Sequence, residues 1–220
     1  MAPINTGILA ETLHGKAGSA VFTRTASGTV VRPRTIPHNP RTRAQTAIRA
    51  NLARAVAAYR ALTPTQFAAW QAYAGRQVRI DLRDGTARHP TAYAAFVGLA
   101  AKFLQVGPAS AIPLNPPAFD FIGDRITLGV STTPGKIKFT ASAANTANIK
   151  TELLLQPLRF GHQAPKSRGY RTQTFAAFAA GSLSLTLNVK PGWYAAAYRF
   201  VNSQTGQETG LMVLPAAVVG

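Results

Sequence analysis

Cysteine is absent from this 220-residue chain, which removes disulfides, Cys-ligated zinc and thiol catalysis together and leaves the redox compartment open. Acid is nearly as scarce: seven Asp and Glu stand against 24 Lys and Arg, a formal charge of +17. The seven are Glu11, Asp81, Asp84, Asp120, Asp124, Glu152 and Glu208. Glycoside hydrolysis or two-metal chemistry needs convergent carboxylates held by supporting partners. Asp120 and Asp124 are the one pair placed close on one expected surface, and the span Phe119–Arg125, with Gly123 inside it, reads as a strand entry carrying turn residues. His14, His38, His89 and His162 sit in Gly- and Pro-rich surroundings without the i, i+4 spacing of a zinc helix. Gly15-Lys16 is not a phosphate loop, because position 10 is Ala and Ala17 stands where a Ser or Thr would hold magnesium. A G-x-S-x-G elbow and a dinucleotide glycine run are also missing. No enzyme is expected, and nothing calls for a catalytic residue, a cofactor or a metal.

Long apolar runs are lacking as well. Tyr93–Ala101 and Leu211–Val219 are too short to span a bilayer, and Pro215 breaks the second. The opening MAPINTGILAETLHG has neither a basic n-region nor a long apolar core, so no signal peptide and no membrane partner are expected.

What the chain does have is hydrophobic content of 46%, enough for folded cores, though much of it is Ala, so helices should pack closely. It also has unevenly placed charge. No acid lies between Glu11 and Asp81, while Lys16, Arg24, Arg32, Arg34, Arg41, Arg43, Arg49, Arg54, Arg60, Arg76 and Arg79 all fall there. Same-sign charges within a Debye length of about 8–10 Å repel, so an anionic partner is expected to offset the field. Arg outnumbers Lys in this stretch, favouring bidentate contacts to phosphate or carboxylate. The competing explanation is compositional: a GC-rich genome encodes Arg and Ala readily.

Arg41–Gly75 is the most strongly specified stretch and reads as two helices joined by a tight turn. Ala44, Ile48, Leu52, Ala55, Tyr59 and Leu62 fall on one face of the first. Thr42 and Gln45 have capping-box spacing at its start. In the second, Thr63 caps, Pro64 fits the first helical position, Gln66 completes the box, and Gly75 is predicted to supply a left-handed stop. Tyr59, Phe67 and Trp70 are the expected anchors between the helices, with base stacking or partner anchoring as their functional alternative. A third helix is predicted from Thr91 to Gly107-Pro108, after a short strand around Ile80 and an Asp84-Gly85 turn.

Before the helices, Ser19–Arg24 and Thr29–Arg32 flank a turn through Ala26-Ser27-Gly28 and predict a hairpin. Pro33, Pro37 and Pro40 then stiffen a basic arm, RPRTIPHNPRTR. Beyond Pro117 the period changes to 2, with strands predicted at 125–131, 136–142, 151–158, 183–189, 193–201 and 211–214. Turns at such intervals argue for an antiparallel sandwich of immunoglobulin or, in the absence of Cys, fibronectin type III character. The expected fold class is therefore α+β: an N-terminal β-hairpin plus three-helix unit, followed by an all-β sandwich. The expected domains are an extended segment over residues 1–40, a helical domain over 41–112 and a β-sandwich over 113–220.

Gly15–Phe22, Val31–Arg34, Asn39–Gln45, Leu62–Trp70 and Thr91–Phe96, in that order, resemble a loosely defined set of phage and prophage proteins. The resemblance covers roughly residues 15–104 and implies a virion-associated structural protein, with other virion proteins and copies of itself as partners and no small-molecule substrate. It brings no catalytic residues. The anion- or partner-binding candidates are Arg24, Arg32, Arg34, Arg41, Arg43 and Arg49 on and after the arm. Arg159, Lys166, Arg168 and Arg171 join them from a loop that interleaves cations with aromatics. The alternative is a sequence-independent nucleic-acid-binding protein that uses the acid-free half as a phosphate surface. Trp193 and Tyr194 stacking on sugar is a third reading, against which their strand position favours core packing.

Overall fold

Thr63 determines where the middle helix begins. Its hydroxyl accepts from the Gln66 N–H at 3.3 Å and its own N–H donates to Gln66 Oε1 at 3.0 Å, the reciprocal box expected from the sequence. The structure, a computed structural model, describes residues 2–4, 13–26, 28–80 and 85–220. Two compact units make up the chain, Met1–Thr42 and Arg43–Gly220.

The first unit is a four-stranded antiparallel sheet. Strands β1 (Ala2–Ile4), β2 (Gly15–Ala17), β3 (Ala20–Thr25) and β4 (Gly28–Pro33) lie in the order β1-β4-β3-β2. The expected hairpin is β3–β4, paired from Ala20↔Pro33 to Thr25↔Gly28. Ser27 of its turn lies outside the described residues. The sheet is larger than the two strands read from the sequence, since β1 and β2 flank the hairpin. Among the side chains described in β2–β4, Val21, Phe22, Val30 and Val31 are half-buried and no hydrophobic one is fully buried.

The second unit opens with α1 (Arg43–Arg60) and α2 (Pro64–Arg76), followed after the short pair β5 (Arg79–Ile80) and β6 (Ala87–Arg88) by α3 (Ala92–Val106). Thr91 caps α3, accepting from the Ala94 N–H at 3.1 Å. Gly75 does not stop α2. The helix runs on to Arg76 and leaves through Gln77 at φ −80 and ψ 130, because the chain continues straight into β5 and an extended exit replaces the left-handed turn. The Asp84 of the expected turn lies outside the described residues.

Aromatic rings hold the three helices. Trp70 and Phe96 have centroids 5.0 Å apart, Tyr59 and Phe96 5.6 Å, and Tyr59 and Phe67 6.2 Å. Such tilted and edge-on pairs add about 0.5–1.5 kcal/mol each to simple burial. Trp70 also donates Nε1 to the Leu114 carbonyl at 2.8 Å, tying the Pro-rich segment after α3 onto the helices. The stripe along α1 divides in two. Ala55 is fully buried, while Ile48 and Leu52, two turns and one turn earlier, are 57% and 46% exposed.

Two antiparallel sheets complete this unit. Strands β7 (Leu128–Thr133), β8 (Lys136–Ala141) and β11 (Ser184–Asn188) form one, in the order β11-β8-β7. The other contains β9 (Ile149–Leu158), β10 (Arg171–Ala176), β12 (Gly192–Asn202), β13 (Met212–Val213) and β14 (Ala217–Val219), in the order β10-β9-β12-β13 with β14 also on β12. One core joins them, built from Ile137 and Phe139 of β8 with Leu153, Leu155, Ala196, Tyr198 and Phe200. The alternate residues of β9 and β12, including Leu154, Leu158, Ala195 and Ala197, are buried on the opposite face. Burial on both faces is why these two strands read as continuous apolar runs. Strands β10 and β14 were not foreseen. Arg171–Ala176 follows a basic loop and carries Arg, Gln and three Thr or Phe positions with little apolar alternation, and Ala217–Val219 lies past Pro215.

Candidate partner-binding surfaces

The register of the first unit puts cations on one face of its sheet. Lys16 pairs with Val21, and Val21 with Arg32. Directly paired residues share a face, so Lys16, Val21 and Arg32 form a row across three strands. Arg34 follows two residues after Arg32 on the same side, its backbone N–H donating to the Ser19 carbonyl at 2.7 Å. Lys16, Arg32 and Arg34 line a cleft of about 310 Å³ whose remaining wall is Val21, Pro33, Thr35, Ile36 and Pro37. Ile36 is 77% exposed. Arg24, three residues from Val21, falls on the opposite face. Arg41 has φ 47, a left-handed conformation uncommon outside glycine, and its N–H donates to Asn39 Oδ1 at 3.4 Å. Arg43 and Arg49 are exposed on α1.

The second cationic surface is a loop over the larger sheet. It is pinned at both ends: Gly161 lies against the Trp193 indole, and Gly169 lies against the Gln156 amide, whose Oε1 accepts the Lys166 N–H at 3.1 Å. Tyr170 is buried beneath it. Arg159, Lys166 and Arg168 are exposed, and the Phe160 ring stacks at 4.7 Å on His162. Arg171 is exposed as well. It belongs to β10, and its guanidinium donates back to the Arg168 carbonyl at 3.0 Å.

A buried ion network was invisible in the sequence. Glu152 on β9 has 0% exposure. It faces Arg199 directly across β9–β12. Arg199 Nε lies 2.6 Å and Lys102 Nζ of α3 2.9 Å from Glu152 Oε2, and the Thr172 hydroxyl donates to Oε1. Glu208 closes the ring, 3.0 Å from Lys102 and 2.9 Å from Arg199. Two cations and two carboxylates sum to zero. Burial pushes the Glu152 carboxyl up, but the Arg199 and Thr172 hydrogen bonds and the Lys102 charge outweigh it and hold the group below its ordinary value. The turn after β12 reaches the same helix: Gly206, at φ +76, brings its backbone against the Leu99 carbonyl of α3.

Asp124 is likewise committed. Partial burial pushes it up, but it accepts from the N–H groups of Thr146 and Arg125, from Asn145 and from the Thr146 hydroxyl, and stays below its ordinary value. A cavity of about 440 Å³ adjoins the ion network, with Tyr73, Leu99, Phe121 and Gln207 among its walls and Lys102, Asp120 and Glu208 at its polar side. Lys102 and Glu208 are already paired with each other. Among the described residues, no three His, Asp or Glu cluster as metal ligands. No described helix is long and apolar enough to cross a membrane.

No family model matches the chain, and no curated protein is similar to it. Among solved structures it is similar to a fibronectin type III domain of human contactin 1, at 11% identity over 51% of this chain and 92% of that one, with a TM-score of 0.33. The class of protein is mixed α+β, three helices with antiparallel sheets.

Proposed function

We propose that this is a non-enzymatic structural or assembly protein of a phage particle, docking through its first unit and carrying an immunoglobulin or fibronectin III-like module. The observation that carries the reading is the thinly packed first sheet: strands β2–β4 have no fully buried apolar side chain, and they carry cations within a stretch that has no acid between Glu11 and Asp81. A sheet needs a filled apolar face or a second surface to be stable, and arms that order on assembly obtain one from a neighbour. The half-exposed Ile48 and Leu52 add a second unpartnered face. The module assignment is supported by two antiparallel sheets sharing one core, with the first, second and fifth strands in one sheet and the third, fourth, sixth, seventh and eighth in the other. The non-enzymatic reading is supported by Glu152 and Asp124, whose oxygens are occupied by structural hydrogen bonds.

The test is sedimentation velocity with negative-stain imaging of the full-length protein. Rings, tubes or a defined oligomer support the reading, and a DNA-indifferent monomer at all concentrations contradicts it.

Sequence-independent nucleic-acid binding is the second reading, favoured by one observation: the Phe160–His162 ring pair beside exposed Arg159, Lys166 and Arg168. It predicts that log K falls with log salt at about −0.9 per phosphate contacted on duplex DNA.

A further inference from the structure

We propose that the cleft of the first unit binds an extended, acidic-aliphatic segment of a partner protein. The inference rests on the assembly reading above and names the partner's chemistry. Three observations lead to it.

The first is spacing. Arg32 and Arg34 are two residues apart on one side of an extended chain, which separates their side chains by about 6.6 Å. Alternate side chains of any extended peptide have that same repeat, so consecutive carboxylates at i and i+2 meet the two guanidiniums one to one. Lys16, two strands away on the same face, is about 9.5 Å off and closes the other side.

The second is charge. Arg32 and Arg34 about 6.6 Å apart and Lys16 about 9.5 Å off lie within about a Debye length, so their charges repel, and among the described residues no acidic side chain lines this cleft. A carboxylate-bearing segment removes that repulsion and forms charge-assisted, bidentate hydrogen bonds with Arg.

The third is the wall. Val21, Pro33, Ile36 and Pro37 are aliphatic, with Ile36 mostly in solvent. A phosphodiester backbone presents nothing apolar to cover them, and among the described residues no aromatic ring lines the cleft for base stacking. Aliphatic side chains from the segment bury this surface at about 25 cal/mol per Å².

The experiment uses the full chain at about 0.15 M salt and fluorescence anisotropy with four probes. They are a labelled peptide alternating Glu with Val, its Lys–Val counterpart, an oligothymidylate and a DNA duplex. The expected result is binding of the Glu–Val peptide alone, weakened more than about tenfold by Arg32→Glu with Arg34→Glu. A charge-matched control, Arg125→Glu with Lys138→Glu, at exposed positions of the second unit, stays within about threefold. Circular dichroism checks folding, and the neutral pair Arg32→Gln, Arg34→Gln gives the same direction if the reversed pair does not fold. Equal loss in the control overturns the proposal in favour of net-charge steering. Tighter binding of either DNA, or of the Lys–Val peptide, or no binding of any probe, overturns it too. If the peptide fails while defined oligomers persist, the cleft assignment is lost and the assembly reading stands.

Discussion

The two units treat positive charge in opposite ways. In the second, Lys102 and Arg199 are drawn into a neutral ring with Glu152 and Glu208, and the ring fastens α3 to the larger sheet. In the first, Lys16, Arg32 and Arg34 stand exposed around a cleft on strands β2–β4, which fully bury no apolar side chain. The same residue types therefore serve internal cohesion in one place and stay exposed in the other, where we propose an outside anion for them. Fold stability should depend on the first arrangement and hardly at all on the second.

Breaking the ring gives the largest expected effect. Glu152→Ala leaves two largely buried cations short of a counter-charge and should cost about 3–5 kcal/mol in urea unfolding. Should the loss fall below about 1 kcal/mol, the ring is ornamental and the contrast between units disappears.

Acid attacks the same group. Because the folded-state value of Glu152 is depressed, its contribution is complete above the ordinary value of 4.5 and is lost as pH falls through the lower folded value. Melting temperature should fall below that range in the native chain, and less steeply in Glu152→Gln. Asp124, depressed from 3.8, acts in the same direction.

Gly206→Ala comes next. Its φ of +76 and the Leu99 carbonyl against its Cα leave no room for a side chain, and a loss of about 1–3 kcal/mol is expected in the same titration.

Removing exposed cations should do least. Arg32→Ala with Arg34→Ala is expected to change stability by no more than about 0.5 kcal/mol per site. A large loss would mean that these arginines hold their own unit together, which would erase the comparison.

What was readable in the sequence was local. The Thr63–Gln66 box, the Thr91 cap and the β3–β4 hairpin all depend on residues within a few positions of each other, and all are present. The Glu152 ring was hidden because its members are 50 and 47 positions from Glu152 along the chain and meet only through strand register and helix docking. Strand β10 was masked by the cations before it, and the exit at Gly75 by the following strand, which overrides the usual preference of glycine for a left-handed end. The cationic cleft lies between these cases. Its arginines were legible as an arm, but their convergence with Lys16 required the pairing of β2, β3 and β4.

Amide hydrogen exchange of the isolated full-length chain measures the contrast directly. Strands β2–β4 should exchange with little protection, while β9 and β12 are protected close to the global unfolding free energy. Equal protection of the two sets would show that the first sheet is stable without a partner and would contradict the account.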